Sequence, residues 1–178
     1  MKKEMIFSGV GGQGIMLIGK LLCTVAAEKG YKVTFAPTYG QEKRGGRTSC
    51  QIVISDSMDS PVISEADAVL IMDENSLEDF ENSVKKGGYL IINSTMIEKE
   101  IDREGINIIK VPMNDIAEKI GNPKSANIVA LGAVIRQIDS VSFEEVKSHM
   151  GAVFKGSAAE SNRKALKAGY DFVKTLQV

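Results

Sequence analysis

The sequence predicts an α/β protein, a three-layer sandwich around a mostly parallel sheet that opens with a Rossmann-like βαβ unit. Three observations lead there. A glycine-rich turn, Gly9 to Gly14, sits between an apolar strand pattern and an amphipathic helix pattern. Strand and helix patterns alternate through the first two thirds of the chain, and the last third is helical throughout, so helices can cover both faces of a sheet.

The 178 residues fit one domain, 1–178, large enough to bury a core of several layers. Hydrophobic residues at 43% and charged residues at 25% match ordinary globular chains, which excludes a disordered or fibrous class. A net charge of -1 removes the broad positive field that nucleic-acid and anionic-membrane binders use, so any anion site must be local. The apolar N-terminal stretch is broken by Ser8 and the glycines too early for a signal peptide, and no run is long enough to span a bilayer. A cytoplasmic location is expected.

The first strand reads from Met5 to Val10 and the first helix from Ile15 to Lys29, where Leu17, Ile18, Leu21, Leu22, Val25 and Ala26 recur at helical spacing before Gly30. Tyr31 to Ala36 is a second strand, joined to the first by a crossover of the usual right hand. Pro37 to Arg47 is irregular, and Thr48 to Ile54 is strongly β-like. Ala68 to Met72 forms a short strand. Asp73 then caps a helix carrying Leu77, Phe80 and Val84, which Gly87-Gly88 ends. Tyr89 to Ile92 and Ile106 to Val111 complete the strands. Ile128, Leu131, Ile135 and Ile138 mark a helix, Ser142 and Glu145 form a capping box ahead of Val146 and Met150, and a final amphipathic helix starts near Ser157.

Gly9-Val10-Gly11-Gly12-Gln13-Gly14 satisfies GxGxxG in the setting that gives the pattern meaning, after a strand and before a helix. Gly9 and Gly11 permit a tight turn and close approach of a ligand, Gly14 permits close helix packing, and the free amides of the helix start can hold phosphate. The plain alternative is a glycine turn used for packing alone. A nicotinamide enzyme would place an acid at the end of the second strand, about twenty residues beyond the glycines. Thr34, Phe35, Ala36 and Pro37 stand there instead, which argues against NAD.

Tyr39 to Ser49 combines Lys43, Arg44 and Arg47 with Gly45-Gly46 and hydroxyl donors. Arg44 and Arg47 suit bidentate contact with phosphate; a solvated loop explains the same composition. Cys23 and Cys50, the only cysteines, lack the close spacing of zinc or iron–sulfur ligands and read as buried thiols. His149 has no second histidine or nearby cysteine with which to form a dyad or metal site, and Glu65, Asp67, Asp73 and Glu74 read as caps and surface charge. No residue is assigned a catalytic role, and no metal site is expected.

The turn Gly9 to Gly14, the segment Tyr39 to Ile54 with its GQEKRGG loop, and Ser125 to Ala133 with its ANxVALGA pattern together resemble, in order and spacing, the gamma subunits of 2-oxoacid:ferredoxin oxidoreductases. The resemblance implies membership of a complex that oxidatively decarboxylates a 2-oxoacid, transfers the acyl group to coenzyme A and passes electrons to ferredoxin. It implies alpha-, beta- and delta-type partner subunits, thiamine diphosphate and iron–sulfur clusters held by those partners, and a homodimer when this chain stands alone. It assigns Gly11, Gly12, Gln13, Gly14, Arg44 and Arg47 to the coenzyme A end of the site. The helix carrying the AGYDF pattern favours 2-oxoglutarate as substrate. An indolepyruvate-type subunit and a stand-alone NAD- or nucleotide-binding protein are the alternatives.

Overall fold

The computed structural model describes residues 1–40 and 45–176. The chain runs β1 (Lys2–Val10), α1 (Ile15–Glu28), β2 (Lys32–Tyr39), β3 (Arg47–Ser55), β4 (Ala66–Ile71), α2 (Glu74–Phe80), β5 (Val84–Asn93), β6 (Asn107–Val111), α3 (Met113–Lys119), α4 (Ala126–Ile135), α5 (Phe143–Val153) and α6 (Ser157–Leu176). Among the described residues the sheet has six strands in the order β2-β3-β1-β4-β5-β6. The pairs β1–β4, β4–β5 and β5–β6 are parallel, whereas β3 is antiparallel to both β1 and β2. Five strands therefore point one way and β3 the other.

The α/β architecture and the largely parallel sheet agree with the sequence reading, with one difference in the first βαβ unit. β1 and β2 share a direction but are not neighbours, because β3 is wedged between them in full register with each, Lys2 to Val10 against Ser55 to Arg47 on one side and Lys32 to Tyr39 against Ser55 to Thr48 on the other. The β-branched run Ile52-Val53-Ile54 fits this inner position, where both strand edges are paired and both faces are covered, Ile52 and Ile54 in one apolar cluster and Val53 in the other.

The two faces are covered unequally. Met5, Phe7, Cys50, Ile52, Leu70 and Ile91 face a layer built from α1 and α3 to α6. Ile6, Val53, Val69, Ile71, Leu90 and Ile92 face α2, through Leu77, and the connecting segments that supply Ile63 and Ile97. All ten residues of α4 are buried, so this helix is apolar all round, as a helix inside its layer must be. Its small residues matter most. A Cβ on Gly132 would overlap the Leu166 carbonyl oxygen, and one on Gly169 would overlap that of Val129, so α4 and α6 meet backbone to backbone.

Several boundaries moved. Val84 is the first residue of β5, paired with Ala66, and not part of the preceding helix, which ends at Phe80 and passes through a 3-10 turn at Glu81–Ser83. Gly87-Gly88 accordingly does not end a helix but lies within β5. The register against β4 slips there from Ala66↔Val84 to Ala68↔Tyr89, and Gly87 takes φ +78° while donating to Gly105 O at 2.7 Å. Leu77, Phe80 and Val84 mimic helical spacing because all three enter the same apolar cluster. The helix α3 had no sequence signal strong enough to mark it. The Asp73 cap is present, its carboxylate accepting from Asn75 N at 3.1 Å. So is the capping box: Glu145 N donates to Ser142 Oγ at 3.3 Å and Ser142 N to Glu145 Oε2 at 2.7 Å. The Ser142 amide and Lys29 hold the Glu145 carboxyl below its ordinary range.

The contact between α4 and α6 predicts a measurable cost. Gly169→Ala forces the two backbones apart and should lower unfolding free energy by about 1–3 kcal/mol, the usual penalty for overpacking. Urea denaturation checks it, and an unchanged midpoint would show that the helices separate freely.

Candidate functional site

The position of β3 decides what meets at the carboxyl edge of β1. Because β3 runs antiparallel beside β1, its start lies against the end of β1, with Arg47 opposite Val10. Gly11 N donates to Gly46 O at 2.8 Å, and a Cβ on Gly11 would lie 3.6 Å from both Gly45 N and Gly46 O. Gly45 itself takes φ +68°. The glycine turn and the C-terminal end of the cationic loop are thus in direct backbone contact.

Within the turn, Gly12 has φ +97° with open space where a Cβ would be, and Gly14, the N-cap of α1, has φ +75°. No side chain caps α1, so its first amides remain available for an acceptor. Gly14 also allows α4 to approach: a Cβ there would overlap the Asn127 amide, whose Nδ2 lies 3.4 Å from Gly14 O. Gln13 is turned inward. Its Oε1 accepts from Val10 N at 2.9 Å and its Nε2 donates to Met72 O at 3.3 Å, so it locks the turn to the end of β4. Asn93, fully buried at the end of β5, donates to the same Met72 carbonyl at 3.4 Å and to Asn114 Oδ1 at 2.7 Å, while its own Oδ1 accepts from Met113 N at 3.2 Å.

These contacts frame a cleft of about 370 Å³ between the ends of β1 and β4, lined by Gly12 and Gln13, Met72, Asn114 of α3, Lys124 of the 3-10 turn before α4, and Asn127 in the first turn of α4. The chain leaves β1 toward β2 and leaves β4 toward β5, in opposite directions along the sheet. The cleft therefore occupies the topological switch point, where open α/β sheets bind ligands. Lys124 has no carboxylate partner among the described residues and gives the cleft a cation.

Gly11, Gly12, Gln13 and Gly14 thus come together, with Gly12 and Gln13 lining the cleft. Arg47 stands one residue from Gly46, but its guanidinium grips Asp79 of α2, Nη1 lying 2.7 and 2.6 Å from the two carboxylate oxygens. Both side chains are more than a third exposed, and such a pair is worth only about 0–1 kcal/mol, so an arriving phosphate can displace Asp79 at small cost. Arg44 lies outside the described residues. Lys124, Asn114 and Asn127 escaped the sequence reading as site residues: Asn127 falls inside the ANxVALGA pattern, the one available signal, whereas Lys124 and Asn114 reach the cleft only through tertiary structure.

Cys50 is fully buried and Cys23 partly so, and burial pushes each thiol up to about 12, with Cys23 adding to the effect on Cys50. Two such thiols do not fit a cluster that needs several thiolate ligands. Among the described residues no group of three or more His, Cys, Asp or Glu is placed to hold a metal ion. His149 pairs with Glu28, Nδ1 to Oε2 at 3.3 Å, between α5 and α1 and away from the cleft lining. Asp67 accepts from Glu4 N at 2.8 Å and pairs with Lys85, a structural use.

A model of the family described as pyruvate ferredoxin/flavodoxin oxidoreductase matches residues 4–172. The chain is 34% identical over 181 residues to subunit KorC of 2-oxoglutarate synthase from Methanocaldococcus jannaschii, covering 99% of this chain and 96% of that relative. It superposes on the keto/oxoacid ferredoxin oxidoreductase gamma subunit of Geobacter sulfurreducens with a TM-score of 0.85 at 26% identity, covering 98% of each chain. A chain of the 2-oxoglutarate:ferredoxin oxidoreductase from Magnetococcus marinus, solved with 2-oxoglutarate, coenzyme A and succinyl-CoA bound, shares the fold at a TM-score of 0.87 and 22% identity, over 99% of this chain and 32% of that one.

The two bonds of Gln13 predict that Gln13→Leu, which keeps the volume and removes both, costs about 1–3 kcal/mol by leaving the Val10 amide unpaired. Hydrogen exchange at Val10 should accelerate beyond the change in global stability. Unaltered protection there would mean that the turn holds without the glutamine.

Proposed function

The chain belongs to the pyruvate ferredoxin/flavodoxin oxidoreductase family and is a gamma subunit of a 2-oxoacid:ferredoxin oxidoreductase, and we propose that its task there is to hold the phosphate-bearing end of coenzyme A. The observation that carries this reading is the bond from Gly11 N to Gly46 O, which brings the turn ahead of the uncapped start of α1 and the segment Gly45 to Arg47 to one edge of the sheet. Helix-start amides and guanidinium groups are the standard partners of phosphate, and the glycine turn ahead of α1 lines a cleft that also carries a cation, Lys124. Coenzyme A bound to the structural neighbour from Magnetococcus marinus supports the choice of ligand. The same relative and KorC of Methanocaldococcus jannaschii support 2-oxoglutarate as the substrate of the assembled enzyme.

In this reading 1–178 acts as a single gamma domain in the cytoplasm, and alpha-, beta- and delta-type subunits hold thiamine diphosphate and the iron–sulfur clusters. Partner chains also account for exposed apolar side chains such as Tyr39, Met58 and Val62. In their absence the chain associates with itself through such surface. Among the described residues, no helix is long and apolar enough to cross a membrane.

Two outcomes follow. The purified chain, assayed anaerobically with thiamine diphosphate, coenzyme A, ferredoxin and 2-oxoacids, should show no turnover, since it lacks the thiolates for a cluster; turnover would refute its role as a dependent subunit. In the assembled complex, replacing Arg44 and Arg47 together by alanine should raise KM for coenzyme A roughly tenfold or more, each charge-assisted contact being worth about 1.5–3 kcal/mol. KM for the 2-oxoacid should hardly move. Once native assembly of the variant is verified, an unchanged dependence on coenzyme A would remove the phosphate role.

A further inference from the structure

The loop 56–65, between β3 and β4, holds the two most exposed large apolar side chains among the described residues, Met58 at 76% and Val62 at 77%. The loop that displays them is tied down along its length. Ser55 Oγ donates to Asp59 Oδ2 at 2.6 Å, Val62 N to Ser60 Oγ at 3.2 Å, and Ile63 N to Gln51 Oε1 at 2.7 Å. Asp56 N donates to Met1 O at 3.1 Å, and Asp59 faces the Lys2 ammonium at 3.7 Å. Ile63 is buried in the apolar cluster on the α2 face. Met58 and Val62 therefore stay in water on a loop that is fixed around them. Ser55, where the loop begins, pairs with Lys2 and Lys32, the first residues of β1 and β2. The pair thus belongs to the amino edge of those strands, roughly 30 Å of strand away from the cleft at the carboxyl edge.

Resting on the reading of this chain as one subunit among companions, we propose that Met58 and Val62 anchor it in an apolar socket of the companion chain that corresponds to the remainder of its longer relatives. Two kinds of relative point to that occupant. In subunit VorA of the ketoisovalerate oxidoreductase from Methanothermobacter marburgensis the matching segment is 36% of the chain, and in the Magnetococcus marinus enzyme it is 32%, so there the domain is joined by peptide bonds to a larger remainder. KorC of Methanocaldococcus jannaschii and the Geobacter sulfurreducens gamma subunit match over 96% and 98% of their own lengths, so there it stands as a separate subunit. A tether holds two domains at an effective concentration of roughly millimolar, and a free-standing subunit must replace it with contact energy. Two apolar side chains on a fixed loop supply that energy efficiently. The loop loses little freedom on docking, and methionine adapts its shape to a socket. Docking at the amino edge also leaves the cleft at the carboxyl edge open to a ligand.

The test titrates the full chain into its companion chains, prepared together without it, and reads the dissociation constant by sedimentation velocity. Met58→Asp with Val62→Asp sets two carboxylates against the socket and should weaken association roughly 100-fold or more. Met58→Ala with Val62→Ala should weaken it roughly tenfold or more, the loss usual when interface anchors are truncated. Met58→Leu with Val62→Ile, apolar throughout, should bind as the parent does. Both positions are exposed, so each free variant should melt with the parent, and the alanine pair carries the test if the aspartate pair unfolds. A folded alanine pair that binds the companions as tightly as the parent overturns the proposal. So does a pair that loses only the self-association of the free chain, since a second copy is then the occupant. If the parent itself fails to bind the companions, the reading of the chain as a dependent subunit falls; if the parent binds and the variants match it, only the anchor is wrong.

Discussion

The constraint on which this fold depends is the antiparallel insertion of β3 between β1 and β2. An α/β unit that simply placed β2 beside β1 would put the loop after β2 next to the glycine turn through two parallel strand ends. Here the same loop arrives by the opposite route. It leaves β2 at the carboxyl edge and turns back into β3, whose first residue, Arg47, pairs with the last residue of β1. The hairpin therefore delivers Gly45 and Gly46 onto Gly11. The insertion also removes the geometry by which a nicotinamide cofactor is usually held, since the end of β2 is separated from the glycine turn by a whole strand. The absence of an acid between Thr34 and Pro37 and this topology argue in the same direction.

With the edge assembled, a few amides keep it rigid. The Met72 carbonyl receives Gln13 from one side and Asn93 from the other, and Asn93 in turn orders the start of α3. The ends of β1, β4 and β5 are thus joined by side chains whose polar atoms are used internally. Gln13, which the family resemblance assigns to the coenzyme A end of the site, spends both ends of its amide on backbone. What the turn offers a ligand is the N–H groups of Gly12 and Gly14, both at positive φ, since those of Gly11 and Gln13 donate to Gly46 O and Val10 O. A rigid cradle of amides costs little entropy on binding, which suits a phosphate site better than a mobile side chain does.

Much of this was legible in the sequence because the signals were local. The glycine turn, the helix after it, the Asp73 cap and the Ser142–Glu145 box depend on residues two to four apart, and each stands where its spacing places it. The order of the strands was not legible. Nothing in Thr48 to Ile54 says which neighbours it will take, because a strand buried on both faces reads alike in either direction. Gly87-Gly88 misled for a related reason: a pair of glycines serves a helix end and a slipped register equally well. Lys124 and Asn162 are 38 positions apart and carry no pattern of their own, so their meeting at a second cleft beside the first is visible only after α4 and α6 have packed.

That packing links the scaffold to the site. α4 begins at these clefts with Asn127 against Gly14 and continues into the layer, where Gly132 lies against the Leu166 carbonyl and Val129 against Gly169 of α6. Because the contact is backbone to backbone, α6 has little freedom to slide or rotate on α4, and Asn162 and Ser157 hold their positions relative to Lys124. Small residues at one end of a helix pair thus set the dimensions of the second cleft at the other. In the proposed role such a fixed distance matters, since error in placing one end of a long ligand is carried to its other end.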